Sequence, residues 1–167
     1  MISQAPARPR SIQEAIKQSK PFHSRGQEAY LALLRTADDM RRRVSLVLEP
    51  AGVTLQQYNV LRILRGAGPN GLPTLAIGER MIERTPGVTR LIDRMEERGW
   101  VIRERCTEDR RRVWCRITEK GLALIEPLDG PVAAVDDLLE EVLDQDELTA
   151  LIGQLDLIRE HLIRTAG

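Results

Sequence analysis

A chain of 167 residues, 42% apolar and 30% charged, has the size and composition of one folded globular domain and lies outside the range of disordered chains. Its apolar runs span a few residues against the ~20 that a membrane-crossing helix needs, so no membrane partner is expected, and the N-terminal stretch holds no apolar signal-peptide core. Two cysteines cannot build a disulfide scaffold, which points to reduced thiols and a cytoplasmic protein.

Net charge is zero but unevenly distributed. Residues 1–25 carry +4, residues 26–77 carry +2, residues 78–125 carry +3, and residues 126–167 carry −9. A chain that is basic over three quarters of its length and acidic at its end suggests a polyanionic partner for the basic part.

Residues 1–25 form an N-terminal arm: Pro6 and Pro9 open it, and Ser11 followed by Glu14 is a capping box that predicts a short helix over 12–19, stopped by Pro21. A second helix is predicted over 26–49, where Leu33, Ala37, Met40, Val44 and Val47 recur at helical period; Pro50 and Gly52 end it. Thr54 and Gln57 form another capping box, and Leu55, Tyr58, Leu61 and Leu64 give the next helix its apolar stripe up to the breaker cluster Gly66–Gly71.

Two short helices come next. Thr74 is expected to cap the first, over 75–81, and Gly78 within it suggests close packing against another backbone. Thr85 as N-cap with Pro86 at the first helical position starts the second, whose buried face is Val88, Leu91, Ile92 and Met95 and whose end is Gly99. Two short helices joined by a tight turn are a helix-turn-helix. The β-rich runs 100–106 and 113–117 read as a hairpin with a basic tip. Helix, helix and hairpin in that order make a winged helix-turn-helix.

Thr118 opens a further helix that Pro127 and Pro131 break near 130. It resumes through Val135, Leu138, Leu139, Val142 and Leu143. Asp144 and Glu147 cap a last helix, where Leu148, Leu151, Leu155, Ile158 and Leu162 recur as a heptad-like seam, suited to packing within the chain or to a subunit interface. The expected fold is mostly α with a small β-hairpin wing. Its parts are the arm (1–25), a dimerisation helix (26–50), a winged-helix DNA-binding lobe (51–118) and C-terminal dimerisation helices (119–167).

The residues with a chemical role fall on the second short helix and the wing. Thr85, Gly87, Thr89, Arg90 and Arg94 lie away from the apolar face of the helix. There Arg90 can bond guanine bidentately, Thr89 can meet a thymine methyl or a phosphate, and Arg94 can reach the backbone or an acidic neighbour. A free helix start near Thr85 favours a phosphate. Arg110, Arg111 and Arg112 at the wing tip suit the minor groove or phosphates, with Asp109 in the turn.

An enzyme is not expected, because no catalytic motif is present. His23 and His161 stand apart from any ligand cluster, so no metal and no cofactor is expected. The alternative to DNA binding is a winged-helix module that binds protein. Overall neutrality and the acids Asp93, Glu96 and Glu97 on the second short helix favour it.

The run TPGVTRLIDRMEERGWVIRERCTEDRRRVWCRITEKG, Thr85 to Gly121, resembles the recognition helix and wing of the MarR family of winged-helix transcriptional regulators. That family's wing carries Asp-x-Arg and then a strand ending Leu/Ile-Thr-x-x-Gly. Asp109-Arg110-Arg111 and Ile117-Thr118-Glu119-Lys120-Gly121 stand in those places. The run LQQYNVLRIL, Leu55 to Leu64, is similar to the helix that opens the family's DNA-binding lobe.

The resemblance implies a homodimer on a palindromic double-stranded DNA operator, repression by promoter occlusion, and interleaved terminal helices at the interface. It implies that Arg111 enters the minor groove, Asp109 holds the turn, and Arg110 and Arg112 support the contact. It also implies a small aromatic or anionic effector. Arg35, Arg41, Arg42 and Tyr58 lie on elements that line the effector crevice in relatives, although each suits a solvated or packed role. Cys106 and Cys115, on the two wing strands, read as reduced and unreactive; the position where some relatives sense oxidants holds no cysteine.

Overall fold

A computed structural model of the chain describes residues 10–83, 87–105 and 113–165. It is mostly helical, with α1 (Ile12–Ala15), α2 (Arg25–Leu48), α3 (Leu55–Ala67), β1 (Leu72–Pro73), α4 (Thr74–Arg80), α5 (Val88–Glu97), β2 (Val101–Arg105), β3 (Val113–Ile117), α6 (Glu119–Ile125), α7 (Asp129–Glu140) and α8 (Gln145–Thr165) in order. The strands form one antiparallel sheet in the order β1-β3-β2. The expected fold class, helical with a small β wing, is what the chain adopts. The chain divides into two units, Met1–Arg43 and Val44–Gly167.

In the first unit Ser11 caps α1 through the expected box with Glu14. The helix stops earlier than expected, at Ala15, because Lys17 turns into the left-handed region (φ 53°) before Pro21 is reached. The part of α2 in this unit is laced by local ion pairs, Arg25–Glu28 at 2.6 Å, Arg35–Asp39 at 3.2 Å and Arg41–Asp38 at 3.8 Å. Such i,i+3 and i,i+4 pairs support an exposed helix by a few tenths of a kcal/mol each. Tyr30, Leu33 and Leu34 lie exposed along it.

In the second unit the core gathers Leu48 from the end of α2, Tyr58, Leu61 and Leu64 from α3, Ile77 from α4, Ile92 and Met95 from α5, Val101 from β2 and Ile125 from α6. Thr54 caps α3 as expected, with Gln57 bonding back to the Thr54 amide. The sequence reading missed β1. Two residues carry no alternation to detect, and the strand exists only because Leu72 pairs with Cys115 and Pro73 with Trp114. Gly71 makes that approach possible, at φ 66° and with no β-carbon to run into the Cys115 carbonyl.

Three local expectations need correcting. Thr74 is the first residue of α4, not its cap, and its hydroxyl lies 3.4 Å from the Cys115 thiol. Gly78 faces the Val88 side chain at ordinary contact distance, so close backbone packing is not its reason. α5 starts at Val88 behind a left-handed Gly87 (φ 96°), two residues later than Pro86 predicts. Thr85 and Pro86 themselves lie outside the described residues.

The end of α5 is as the sequence predicts. Gly99 is left-handed, its amide donates to the Glu96 carbonyl and the Trp100 amide to the Met95 carbonyl, a Schellman pair. The chain then enters β2. Thr118, at the far end of β3, ties the sheet to α6. Its amide donates to the Trp100 carbonyl (3.0 Å), its hydroxyl donates to the Gly99 carbonyl (2.7 Å), and the same oxygen accepts from the Gly121 amide as the helix cap.

Pro127 falls in a 3-10 turn, Glu126–Leu128, while Pro131 sits in the first turn of α7, where its missing N–H costs nothing. Arg65 of α3 holds the start of α7 with a two-pronged bond to Asp129 (2.7 and 2.9 Å), which keeps the Asp129 carboxyl below its usual range. Asp144 and Glu147 cap α8 reciprocally, as expected. Nothing in α8 is buried. Of its predicted seam, Leu148, Leu151 and Leu155 are half-buried, while Ile158 is 49% and Leu162 is 60% exposed.

Gly121 is expected to be the least replaceable residue of α6. A β-carbon there would overlap the Trp100 carbonyl and come within 2.8 Å of Ile117 Cγ1. Gly121→Ala should therefore destabilise the fold by about 1–3 kcal/mol, the cost of forcing an atom into a packed site. Thermal or urea unfolding measures it, and an unchanged midpoint would refute the close approach.

Candidate nucleic-acid interface

The candidate surface is built on α5. Ile92 and Met95 are fully buried, and Val88 and Leu91 pack beside them. With that face directed inward, Gly87, Thr89, Arg90 and Arg94 emerge together on the exposed side. Among the described residues neither Arg90 nor Arg94 is held by an ion pair or a side-chain hydrogen bond. Among the described residues no side chain caps the helix start.

From sequence, Asp93, Glu96 and Glu97 favour the protein-binding alternative, but two of these acids are already paired within the fold. Asp93 and Glu96, three residues apart and so on one side of the helix, turn to β2 and meet Arg103. Arg103 Nη1 lies 2.6 Å from Asp93 Oδ1, Nη2 lies 2.6 Å and Nε 2.8 Å from Glu96 Oε2, and the Arg103 amide donates to Glu96 Oε1 at 3.0 Å. Hydrogen bonding from Arg103 holds the Glu96 carboxyl below its ordinary range. Glu97 remains exposed. The exposed side of α5 thus keeps its two arginines, while two of the three acids of the helix are paired with Arg103 of β2.

Arg103 is the residue the sequence reading missed. The signal was there: in β2 the inward positions alternate, Val101 is fully buried, and Arg103 falls two residues on, on the same face. A cation on the inward face of a strand needs an acid opposite, and Asp93 and Glu96 were the acids at helical spacing.

Asp109, Arg110, Arg111 and Arg112 lie outside the described residues, as does Cys106. The two strands that carry them are described in register, Val101 with Ile117 through Arg105 with Val113. Cys115 is buried, its thiol pushed up by burial, and its cross-strand neighbour in β2 is Arg103. Trp114 is half-buried and Trp100 is buried, with the Arg98 guanidinium 4.8 Å from its ring centre.

The residues placed on an effector crevice have partners of their own. Tyr58 is buried in the core near Arg62, Arg35 pairs with Asp39, Arg41 pairs with Asp38, and Arg42 is exposed. Among the described residues there is no cluster of metal-ligating side chains, and no helix is long and apolar enough to cross a membrane.

Known proteins align with this arrangement over most of the chain. The family model for the MarR family matches residues 53–113, from the residue before the α3 cap to the first residue of β3. The HTH-type transcriptional regulator FarR of Neisseria gonorrhoeae is 28% identical over 131 residues, 78% of this chain and 88% of FarR. The crystal structure of a MarR transcription factor from Planctomyces limnophilus is 41% identical, covers 82% of this chain and 99% of its own, and superposes with a TM-score of 0.61. The transcriptional repressor CouR, solved bound to a 23-mer DNA duplex, is 28% identical, with a TM-score of 0.70 over 84% of this chain and 99% of that one. With its helix-turn-helix, its three-stranded wing sheet and these relatives, the chain belongs to the MarR family of transcriptional regulators.

Proposed function

We propose that this regulator is a homodimer that binds a palindromic DNA operator in a sequence-specific way and represses transcription in the cytoplasm by occluding a promoter. The observation that carries this reading is the pairing of charge on α5: Arg90 and Arg94 stand exposed with Thr89, while the acids Asp93 and Glu96 are engaged by Arg103 of β2. A helix with free cations on its exposed side is suited to the major groove, with Arg90 at a guanine edge and Thr89, Arg94 and the chain around Gly87 at phosphates or a thymine methyl. Thr85, three residues before α5 in the sequence, adds a phosphate contact. Arg111 reads the minor groove, Arg110 and Arg112 support it, and Asp109 holds the wing turn; these four roles rest on the match of the wing motif to the family.

Dimerisation rests on the apolar surface left uncovered in the single chain. On α8, Ile152, Leu157, Ile158, Leu162 and Ile163 are exposed, and on α2 so are Tyr30, Leu33 and Leu34. Apolar side chains at that density on a long helix mark an interface, and a second copy would cover them. Residues 26–50 and 119–167 then serve dimerisation and 51–118 serve DNA. The strongly acidic 126–167 segment suits a part held away from phosphate. A small aromatic or anionic effector that releases the operator completes the proposal, on family membership alone.

Selection of bound duplexes from a random pool by the full-length protein tests the whole reading. The expected product is a palindrome with half-site centres about one helical turn, ~34–36 Å, apart. Absence of enrichment at low salt would overturn DNA binding in favour of a protein-binding module. On the selected duplex, Arg111→Ala should weaken binding at fixed salt while size-exclusion chromatography still reports a dimer, and an unchanged Kd would remove Arg111 from the interface. Arg90→Ala should relax the preference for one base by about 1–3 kcal/mol; an equal loss on every sequence would make Arg90 a phosphate contact.

A further inference from the structure

Building on the DNA-binding reading above, we propose that Arg103 is a positioning residue that locks α5 to the wing strand β2, so that the two DNA-contacting elements dock as one body. All three guanidinium nitrogens are engaged by acids of α5: Nη1 by Asp93, Nη2 and Nε by Glu96. The Arg103 amide takes the second Glu96 oxygen. One residue of β2 therefore holds two successive turns of α5, through its side chain and its backbone together. The same strand runs directly into residues 106–112, the wing tip.

The fork geometry matters more than the charge. A planar guanidinium can serve a carboxylate on each side at once, whereas a lysine ammonium is a point charge on a flexible stem. The acids are partly exposed, Asp93 by 42% and Glu96 by 35%, so solvent screens the attraction and the stability contribution is modest. What the clamp supplies is relative orientation. A helix in one groove and a wing in the next can both engage only if the angle between them is set beforehand.

The test exploits opposite signs. Glu96→Gln makes the lobe one charge more positive, and electrostatics alone then predicts tighter binding to any duplex. Positioning predicts that the Kd for the duplex selected by the wild-type protein rises about tenfold, while the Kd for a scrambled duplex of equal length stays or falls. Arg103→Lys, which keeps the charge and loses the fork, should show the same loss of specificity, with little change in melting temperature. Operator binding by Glu96→Gln as tight as wild type, or tighter, would overturn the proposal.

Amide hydrogen exchange on the free protein reads the clamp without DNA. Glu96→Gln should speed exchange in β2, β3 and the end of α5 together and leave α3 unchanged, and unchanged exchange in those strands would also overturn it. If the wild-type protein selects no duplex, it is the DNA-binding reading that fails, and the exchange measurement still decides whether Arg103 couples the two elements.

Discussion

The winged lobe depends on one crowded place, the Trp100 carbonyl. The chain leaves α5 there through the left-handed Gly99 and begins β2. The other end of the hairpin returns to the same spot, where Thr118 donates to that carbonyl and Gly121 passes it without a side chain. The end of α5, the wing strands and α6 are thus joined within a few ångströms. Removing a β-carbon at 121 and placing a hydroxyl at 118 are what the Thr-x-x-Gly spacing accomplishes. A motif that serves as a family signature is here a solution to a packing problem.

The sheet repeats that solution on its opposite edge. β3 is central, with β2 on one side and the two-residue β1 on the other. The β1 contact needs Gly71 in place for the same reason that α6 needs Gly121: backbone approaches backbone too closely for any side chain. A buried Cys115 and the Thr74 hydroxyl fill the space between β3 and α4. The thiol is enclosed and its ionisation disfavoured, so it behaves as a small apolar residue with a weak hydrogen bond.

Charge is arranged with equal economy. The lobe, residues 51–118, carries thirteen arginines against eight acids, and several of these charges are already paired within the fold. Arg103 pairs with Asp93 and Glu96 of α5, Arg65 with Asp129, and Glu104 with Arg116 across the wing strands. Among the described residues the cations of α5 left without partners are Arg90 and Arg94, on the exposed side. Net charge therefore says little about whether such a surface suits a polyanion; what counts is which charges are already satisfied within the fold.

Much of this was written in the chain. Helical periodicity located α2, α3, α5 and α8, and the capping boxes at Ser11, Thr54 and Asp144 marked helix starts that the structure keeps, because a cap is a local bond between residues three apart. The Gly99 stop and the two wing strands were equally local. The exposed residues of α5 followed from its apolar stripe, since burying one face decides what the other presents. Tertiary structure decided the rest. β1 has no signal of its own and exists only against β3. The start of α5 moved to Val88 behind a left-handed Gly87. Two of the three acids of α5 read from sequence as favouring a protein partner, Asp93 and Glu96, pair with Arg103. Pairings between residues distant along the chain leave little periodic trace in sequence, because their partners meet only after the elements have packed.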